Sequence, residues 1–191
     1  MKKVTLDDIV GLPAYEKIRD DFRRRVIELK RKRRVSVGDK VSLVFENRET
    51  VIFQIQEMLR AERITDLDKI REEIDVYNDL LPGSGELSAT LFLEIEDQAR
   101  LREELLKFLG IDEVVYLKIG ERTVHARFEP GRSKKDKISA VQYIKFPLQA
   151  EEISSLRAGE SAELIIDHPN YKARTPIEPA TRQSLLEDLA A

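Results

Sequence analysis

Four groups of side chains have the types and spacings that chemistry needs, and each also has a plainer reading. The helix-period segment after Asn47 carries Thr50, Gln54 and Glu57 in an arc beside its apolar residues, while Glu62 projects from the middle of the apolar arc, next to Ile55 and Met58. A carboxylate in apolar surroundings has a raised pKa and can serve as a general acid or base. Otherwise Glu62 is displaced past the helix end into solvent or paired with a base such as an arginine of the first helix, because an unpaired buried carboxylate is costly. Glu94 and Glu96 fall on one face of a strand, about 7 Å apart along it, with Ser88, Thr90 and Phe92 upstream. Such a pair could do acid–base work or hold a hard cation, or it is a solvated strand end. Tyr116 and His125 are cross-strand neighbours, with Arg127 expected on the same face. That patch could bind an anion, with His125 titrating near neutral pH, or it is a sheet surface. From Arg23 to Arg34, 8 of 12 residues are Lys or Arg. The run could neutralise phosphates in a salt-sensitive way; alternatively it is a solvated helix face whose charges pair with Asp66, Asp68, Glu72, Glu73, Asp75 and Asp79 of the third helix.

Composition removes several other chemistries. The chain has 191 residues and no Cys, which excludes thiolate nucleophiles, CxxC redox centres and Cys-ligated iron–sulfur or zinc sites. His125 and His168 are the two imidazoles, and Arg122 and Ile165 stand three residues before them, where a di-iron bundle needs Glu. Neither GxxxxGK[ST], a helix-opening GxGxxG, HExxH nor GxSxG occurs, and Gly83-Ser84-Gly85 leads into a strand. No metal and no cofactor is therefore expected. The 33 basic and 36 acidic residues nearly cancel to −3, against a surface that is basic all over. The N-terminus reaches Asp7 and Asp8 before any apolar run, so it does not read as a signal peptide, and no run approaches the roughly 18 apolar residues of a membrane span. The expected location is the cytoplasm.

The elements that must position these groups read as helices first and strands second. Tyr15, Ile18, Phe22, Val26 and Leu29 form a helical stripe between Ala14 and about Arg34. Val35 to Glu46 alternates around a Gly38-Asp39 turn. Asn47 caps a second helix with Val51, Ile52, Ile55, Met58 and Leu59 inward, and Thr65-x-x-Asp68 resembles a capping box opening a third, with Leu67, Ile70, Ile74, Tyr77 and Leu81 inward. Leu87 to Ile95 alternates as a half-buried strand, and Asp97 caps a helix closed by Gly110. Gly120-Glu121 reads as a type II′ hairpin turn that sets Ile119 against Arg122, Leu117 against Val124 and Tyr116 against His125. After a polar loop from Glu129 to Lys137 come strands near Ala140 to Phe146 and Ala162 to Ile166 around a short helix, an Asp167-His168-Pro169-Asn170 turn, and a last helix with Pro179 in its first turn. This order predicts an α+β fold, a mainly antiparallel sheet packed against helices contributed largely by the N-terminal half, in a single domain over 1–191.

Phe45-Glu46-Asn47-Arg48-Glu49-Thr50, followed by Gln54 to Arg60 and Glu62, closely resembles an uncharacterised bacterial family catalogued as domain of unknown function 3501. Tyr77-Asn78 with Leu81-Pro82, Glu86 to Thr90, Val141-Gln142-Tyr143 with Phe146-Pro147, and His168-Pro169 with Tyr171 extend the resemblance over nearly the whole chain. The family has no agreed chemistry, so the resemblance implies no catalytic residue. It does imply a setting: members are often encoded near rubrerythrin and an iron–sulfur oxidoreductase, which points to peroxide defence or electron transfer with a redox partner protein.

The leading expectation is a non-catalytic accessory protein that binds a partner or small ligand in a redox-stress pathway. The alternative is a hydrolase or lyase using Glu57, Glu62, Glu94 or His125, metal-assisted or not, which requires at least two of them in one pocket. Nucleic-acid binding through the basic first helix is third, and assembly into a homo-oligomer is left open. Together with Asn47, Thr50, Gln54, Ser88, Thr90 and Tyr116, those four residues make up the candidate polar site.

Overall fold

The computed structural model describes residues 1–131, 133–134 and 137–190. A 3₁₀ turn (Leu6–Asp8) leads into α1 (Leu12–Arg33), which has Pro13 in its first turn, where a missing N–H is no loss. Then come β1 (Arg34–Ser36), β2 (Val41–Phe45), α2 (Arg48–Ala61), α3 (Leu67–Asn78), β3 (Glu86–Leu93), α4 (Leu101–Leu106), β4 (Val115–Ile119) and β5 (Arg122–His125). The remaining elements are β6 (Arg127–Phe128), β7 (Ser133–Lys134), β8 (Lys137–Ile138), β9 (Val141–Pro147), α5 (Ala150–Ala158), β10 (Ala162–His168), β11 (Tyr171–Pro176) and α6 (Pro179–Ala190). The first sheet has the order β1-β2-β3-β9-β6 and the second β11-β10-β4-β5. All their pairings are antiparallel. The fold is α+β, as expected. No helix among the described residues is long and apolar enough to cross a membrane.

One apolar cluster joins the two sheets. Leu43, Phe45, Leu91 and Phe146 of the first, Leu117, Ile119, Leu164 and Ile166 of the second, and Leu185 of α6 are all buried in it. On the other face of the first sheet, Val51, Ile55 and Leu59 of α2 pack with Ile74 of α3, and Tyr143 of β9 lies against them. Helices therefore cover both faces of β3 at its middle. Ser88 and Thr90, expected on the wet side of a half-buried strand, are buried instead.

The Gly120 turn sets the expected register, Tyr116 opposite His125 and Leu117 opposite Val124, and Gly120 has the positive φ of 56° that such a turn demands. Other expectations are corrected. Asp66, one residue after Thr65, caps α3 by accepting from the N–H groups of Asp68 and Lys69. Ile18 and Leu67, placed on inward stripes, are 47% and 58% exposed, because the helices meet their neighbours over arcs narrower than the apolar stripes. The segment after Asp97 is a 3₁₀ turn followed by the short α4. The expected loop from Glu129 to Lys137 contains β7 and β8, while Arg132, Lys135 and Asp136 lie outside the described residues. β11 is an additional edge strand that pairs with β10 across the Pro169-Asn170 turn.

The basic run does not pair with the acids of α3. Arg24 bonds Asp21, Arg25 bonds Glu49, Arg31 bonds Glu28 and Arg34 bonds Glu94. The reason is position: α1 packs against α2, and α3 lies on the far side of α2. Arg33, at the end of the run, is fully buried and ion-paired to Asp188 of α6.

Gly38 illustrates how the first hairpin is tied to the second sheet. Its φ is +76°, and a Cβ built on it would lie 2.2 Å from the Tyr171 hydroxyl. That hydroxyl donates to Val37 O (2.8 Å) and accepts from the Lys40 N–H (3.0 Å). Gly38→Ala combines left-handed strain with loss of both bonds and is expected to lower stability by about 2–3 kcal/mol. Tyr171→Phe removes the bonds alone, about 1–2 kcal/mol. In chemical denaturation the double variant should be less destabilised than the sum, because both changes strike one contact.

Candidate functional site

The helix-covered face of the first sheet is only partly roofed. Strand register places Ser88 opposite Lys145 and Lys145 opposite Arg127, so the three residues form one row across β3, β9 and β6. Tyr143, opposite Thr90, lies in the next row. Above them runs the stripe Glu73, Val76, Tyr77 and Leu80, spaced 3 and 4 apart on α3 and its C-terminal extension. Asp79 at the C-cap and Met58 of α2 complete the wall. Between roof and sheet lies a cleft of about 560 Å³, within the roughly 300–1,000 Å³ usual for small-molecule sites. Phe128 and Ile144 add to its apolar lining.

Glu73, Asp79, Glu129, Arg127 and Lys145 are the charged residues of the lining. Directly opposed residues of an antiparallel pair have Cβ atoms about 4.5–5.5 Å apart, and like charges there repel. Lys145 is relieved by Glu86 Oε2 and by the Leu81 carbonyl, each 3.3 Å from Nζ. The exposed Arg127 guanidinium has no hydrogen bond or ion pair among the described residues. Burial, and then the proximity of Tyr143 and Glu73, hold the Tyr77 phenol above its usual pKa. Tyr143 and Glu129 have partners of their own.

The family described as Protein of unknown function (DUF3501) matches residues 3–189. The chain belongs to this family. It is also similar, with 35% sequence identity, to a protein in a crystal structure at 1.90 Å described as a novel protein of unknown function from Burkholderia pseudomallei K96243. The match covers 98% of this chain and 100% of that one, with a TM-score of 0.93. No curated protein matches the sequence.

In this DUF3501 member the ten candidate residues do not gather in one place, and Ser88 is the one of them that lines the cleft. Asn47 caps α2, accepting from the Thr50 N–H and donating its own N–H to Thr50 Oγ1, both at 3.0 Å. Thr50 and Thr90 converge on a residue that the sequence reading passed over, the buried Glu46: Thr90 Oγ1 donates to its Oε1 (2.6 Å) and Thr50 Oγ1 to its Oε2. Its signal was present, since Ser42, Val44 and Glu46 share the helix-facing alternation of β2 and its extension. Gln54 is half-buried on α2. Glu62 is the exposed C-cap of α2, so the helix ends before its side chain reaches the core.

Glu94 lies just past β3, where it accepts from Ser42 Oγ (2.6 Å) and pairs with Arg34, and Glu96 is exposed beyond it. These bonds, the Ser42 one foremost, hold Glu94 below the usual carboxylate range. Tyr116 and His125 meet on the second sheet with ring centroids 5.2 Å apart. Arg127 is not with them: the chain steps from the second sheet to the first at Ala126, whose N–H still bonds Val115 O. His168 is buried. Its Nε2 lies 2.8 Å from Leu109 O and its Nδ1 accepts from the Asn170 N–H, partners that assign the proton to Nε2. No group of three or more His, Asp or Glu among the described residues is arranged to hold a metal ion.

Glu57 is held by Arg19 through two 2.8 Å bonds and by the Tyr15 hydroxyl at 2.7 Å. The Arg19 bonds are the main cause of a pKa below the ordinary 4.5. A carboxylate with a depressed folded-state pKa contributes stability that is present above its unfolded pKa and lost as pH falls through the folded value. Glu57→Gln is therefore expected to cost about 1–2 kcal/mol at neutral pH, with the difference vanishing in acid below the folded pKa. Urea denaturation over a pH series checks this.

Proposed function

We propose that this protein is a non-catalytic ligand-binding protein, and that the cleft between α3 and the β9–β6 edge takes a small organic anion. The carrying observation is Arg127, directly opposite Lys145 on a partly apolar surface and without a counter-ion among the described residues. A carboxylate there relieves the repulsion between the two cations and gains a guanidinium fork suited to its geometry. The apolar side chains of Met58, Val76, Phe128 and Ile144 offer surface for an organic body. The acid–base candidates Glu57, Glu94 and His125 stand on different elements outside this lining, and an accessory binding role fits that separation better than catalysis. Neither the cleft nor the relatives' descriptions bear on peroxide defence or electron transfer.

Titration of isotope-labelled protein with benzoate tests the reading. Saturable amide shifts are expected at Ser88, Arg127 and Tyr143, and Arg127→Gln should weaken binding about tenfold without lowering thermal stability, since it removes one of two facing cations. Unshifted cleft amides at millimolar benzoate, or equal affinity in the variant, would overturn the anion site.

A further inference from the structure

The wall opposite Arg127 carries the opposite charge. Glu73 and Asp79 line it, and neither makes an ion pair among the described residues. Asp79 also sits at the C-cap of α3, the negative end of the helix dipole, where a cation is the stabilising residue. The last turn of α3 has no basic residue. Two carboxylates and a helix C-terminus thus add their negative potential on one wall, while on the other the positive charge comes from Arg127, Lys145 being paired with Glu86 and Glu129 having a partner of its own. The walls do not neutralise each other, since no acid of α3 comes within ion-pair distance of Arg127 or Lys145. Tyr77 and Tyr143 stand among the lining residues.

We infer that the ligand is amphoteric: a small molecule with a carboxylate at one end, an ammonium group at the other and a flat or apolar middle. This rests on the reading of the cleft as an anion site and adds the second pole. The carboxylate lies on Arg127, the middle between the tyrosines and the apolar lining, and the ammonium against Glu73, Asp79 and the α3 C-terminus. An amine attracted to this wall gains both from the unpaired acids and from the helix end. A plain carboxylate of the same shape leaves the wall unneutralised.

Three matched probes test it: 4-(aminomethyl)benzoate, benzoate and benzylamine, titrated by NMR at low and physiological salt. The amphoteric probe is expected to bind about three- to tenfold more tightly than either single-charge probe, an advantage that shrinks with salt. A Glu73→Gln/Asp79→Asn variant should bring its affinity down to that of benzoate, while benzoate itself binds the variant no more weakly than the unmodified protein. Equal affinity of benzoate and 4-(aminomethyl)benzoate for the unmodified protein overturns the second pole and leaves the anion site standing. Failure of all three probes overturns both. Tighter binding of benzylamine than of the amphoteric probe overturns the assignment of the carboxylate to Arg127.

Discussion

Replacing Arg33 by Ala should lower stability by about 3–5 kcal/mol, the cost of breaking a buried ion pair from one side. Arg33 is fully buried, and its donors tie the end of β2 to α6: Nε bonds Phe45 O (2.7 Å), Nη2 bonds Glu46 O (3.1 Å) and the Asp188 carboxylate, and Nη1 bonds Ser184 Oγ (2.7 Å). Without it, two strand-end carbonyls and a carboxylate remain buried with no donor. Burial already holds the Asp188 pKa above its usual range, against the pull of Arg33. With its folded pKa raised above the unfolded one, ionised Asp188 lowers stability as pH rises through that interval. In Arg33→Ala the loss should therefore be smaller in acid than at neutral pH. Changing both partners to apolar residues, Arg33→Met with Asp188→Leu, should recover much of the loss, since no charge is then stranded. Denaturant midpoints of the two variants at two pH values check this, and a loss below about 1 kcal/mol in Arg33→Ala would remove Arg33 as the anchor of α6.

Phe45→Ala is the second large effect, about 3–5 kcal/mol, and it arises from packing alone. Phe45 is fully buried in the cluster that joins the two sheets, and its ring lies 6.3 Å from that of Phe146. The surrounding strands are fixed by ladder bonds on both sides of β2, so the cavity cannot close by moving one of them. Phe45→Leu, which keeps most of the volume, should cost clearly less. Calorimetric melting of the pair gives the comparison.

The fold was legible where local chemistry leaves one choice. Asn47 has to cap a helix because its oxygen and the Thr50 hydroxyl satisfy each other's backbone partners, and the Gly120-Glu121 turn fixes the register of four residues on each side. β11 was not legible. Lys172 and Arg174 are solvated, Tyr171, Ala173 and Thr175 are only half-buried, and an edge strand of this composition has no apolar alternation to betray it. The face of β3 that carries Ser88 and Thr90 reads as wet in a single strand and turns out buried, because its cover is supplied by α2 from elsewhere in the sequence.

The candidate cleft was less legible than the fold. Tyr77 is indistinguishable from a core position by its spacing, and Tyr143 is one of several alternating residues on β9. The placement of Arg127 depends on a step between sheets that no turn signal announces. Glu46 looks like the polar end of a strand until Thr50 and Thr90 are brought to it. What the sequence could show was that acids with plausible catalytic spacing were many, Glu94 and Glu96 among them; that Glu57, Glu94 and His125 stand on different elements is seen in the fold.

The step at Ala126 has a consequence for how this chain can vary. The arm from the Gly120 turn to Arg127 serves as a gauge: its length decides which side chain is delivered to the edge of β9. One residue added to or removed from the arm brings Ala126 or Phe128 into that position and turns the guanidinium toward the packed interior. Hairpin length and cleft charge are therefore a single inherited trait. Insertions in this region can be accommodated in the turn only if they come as changes that leave the count from strand to strand intact.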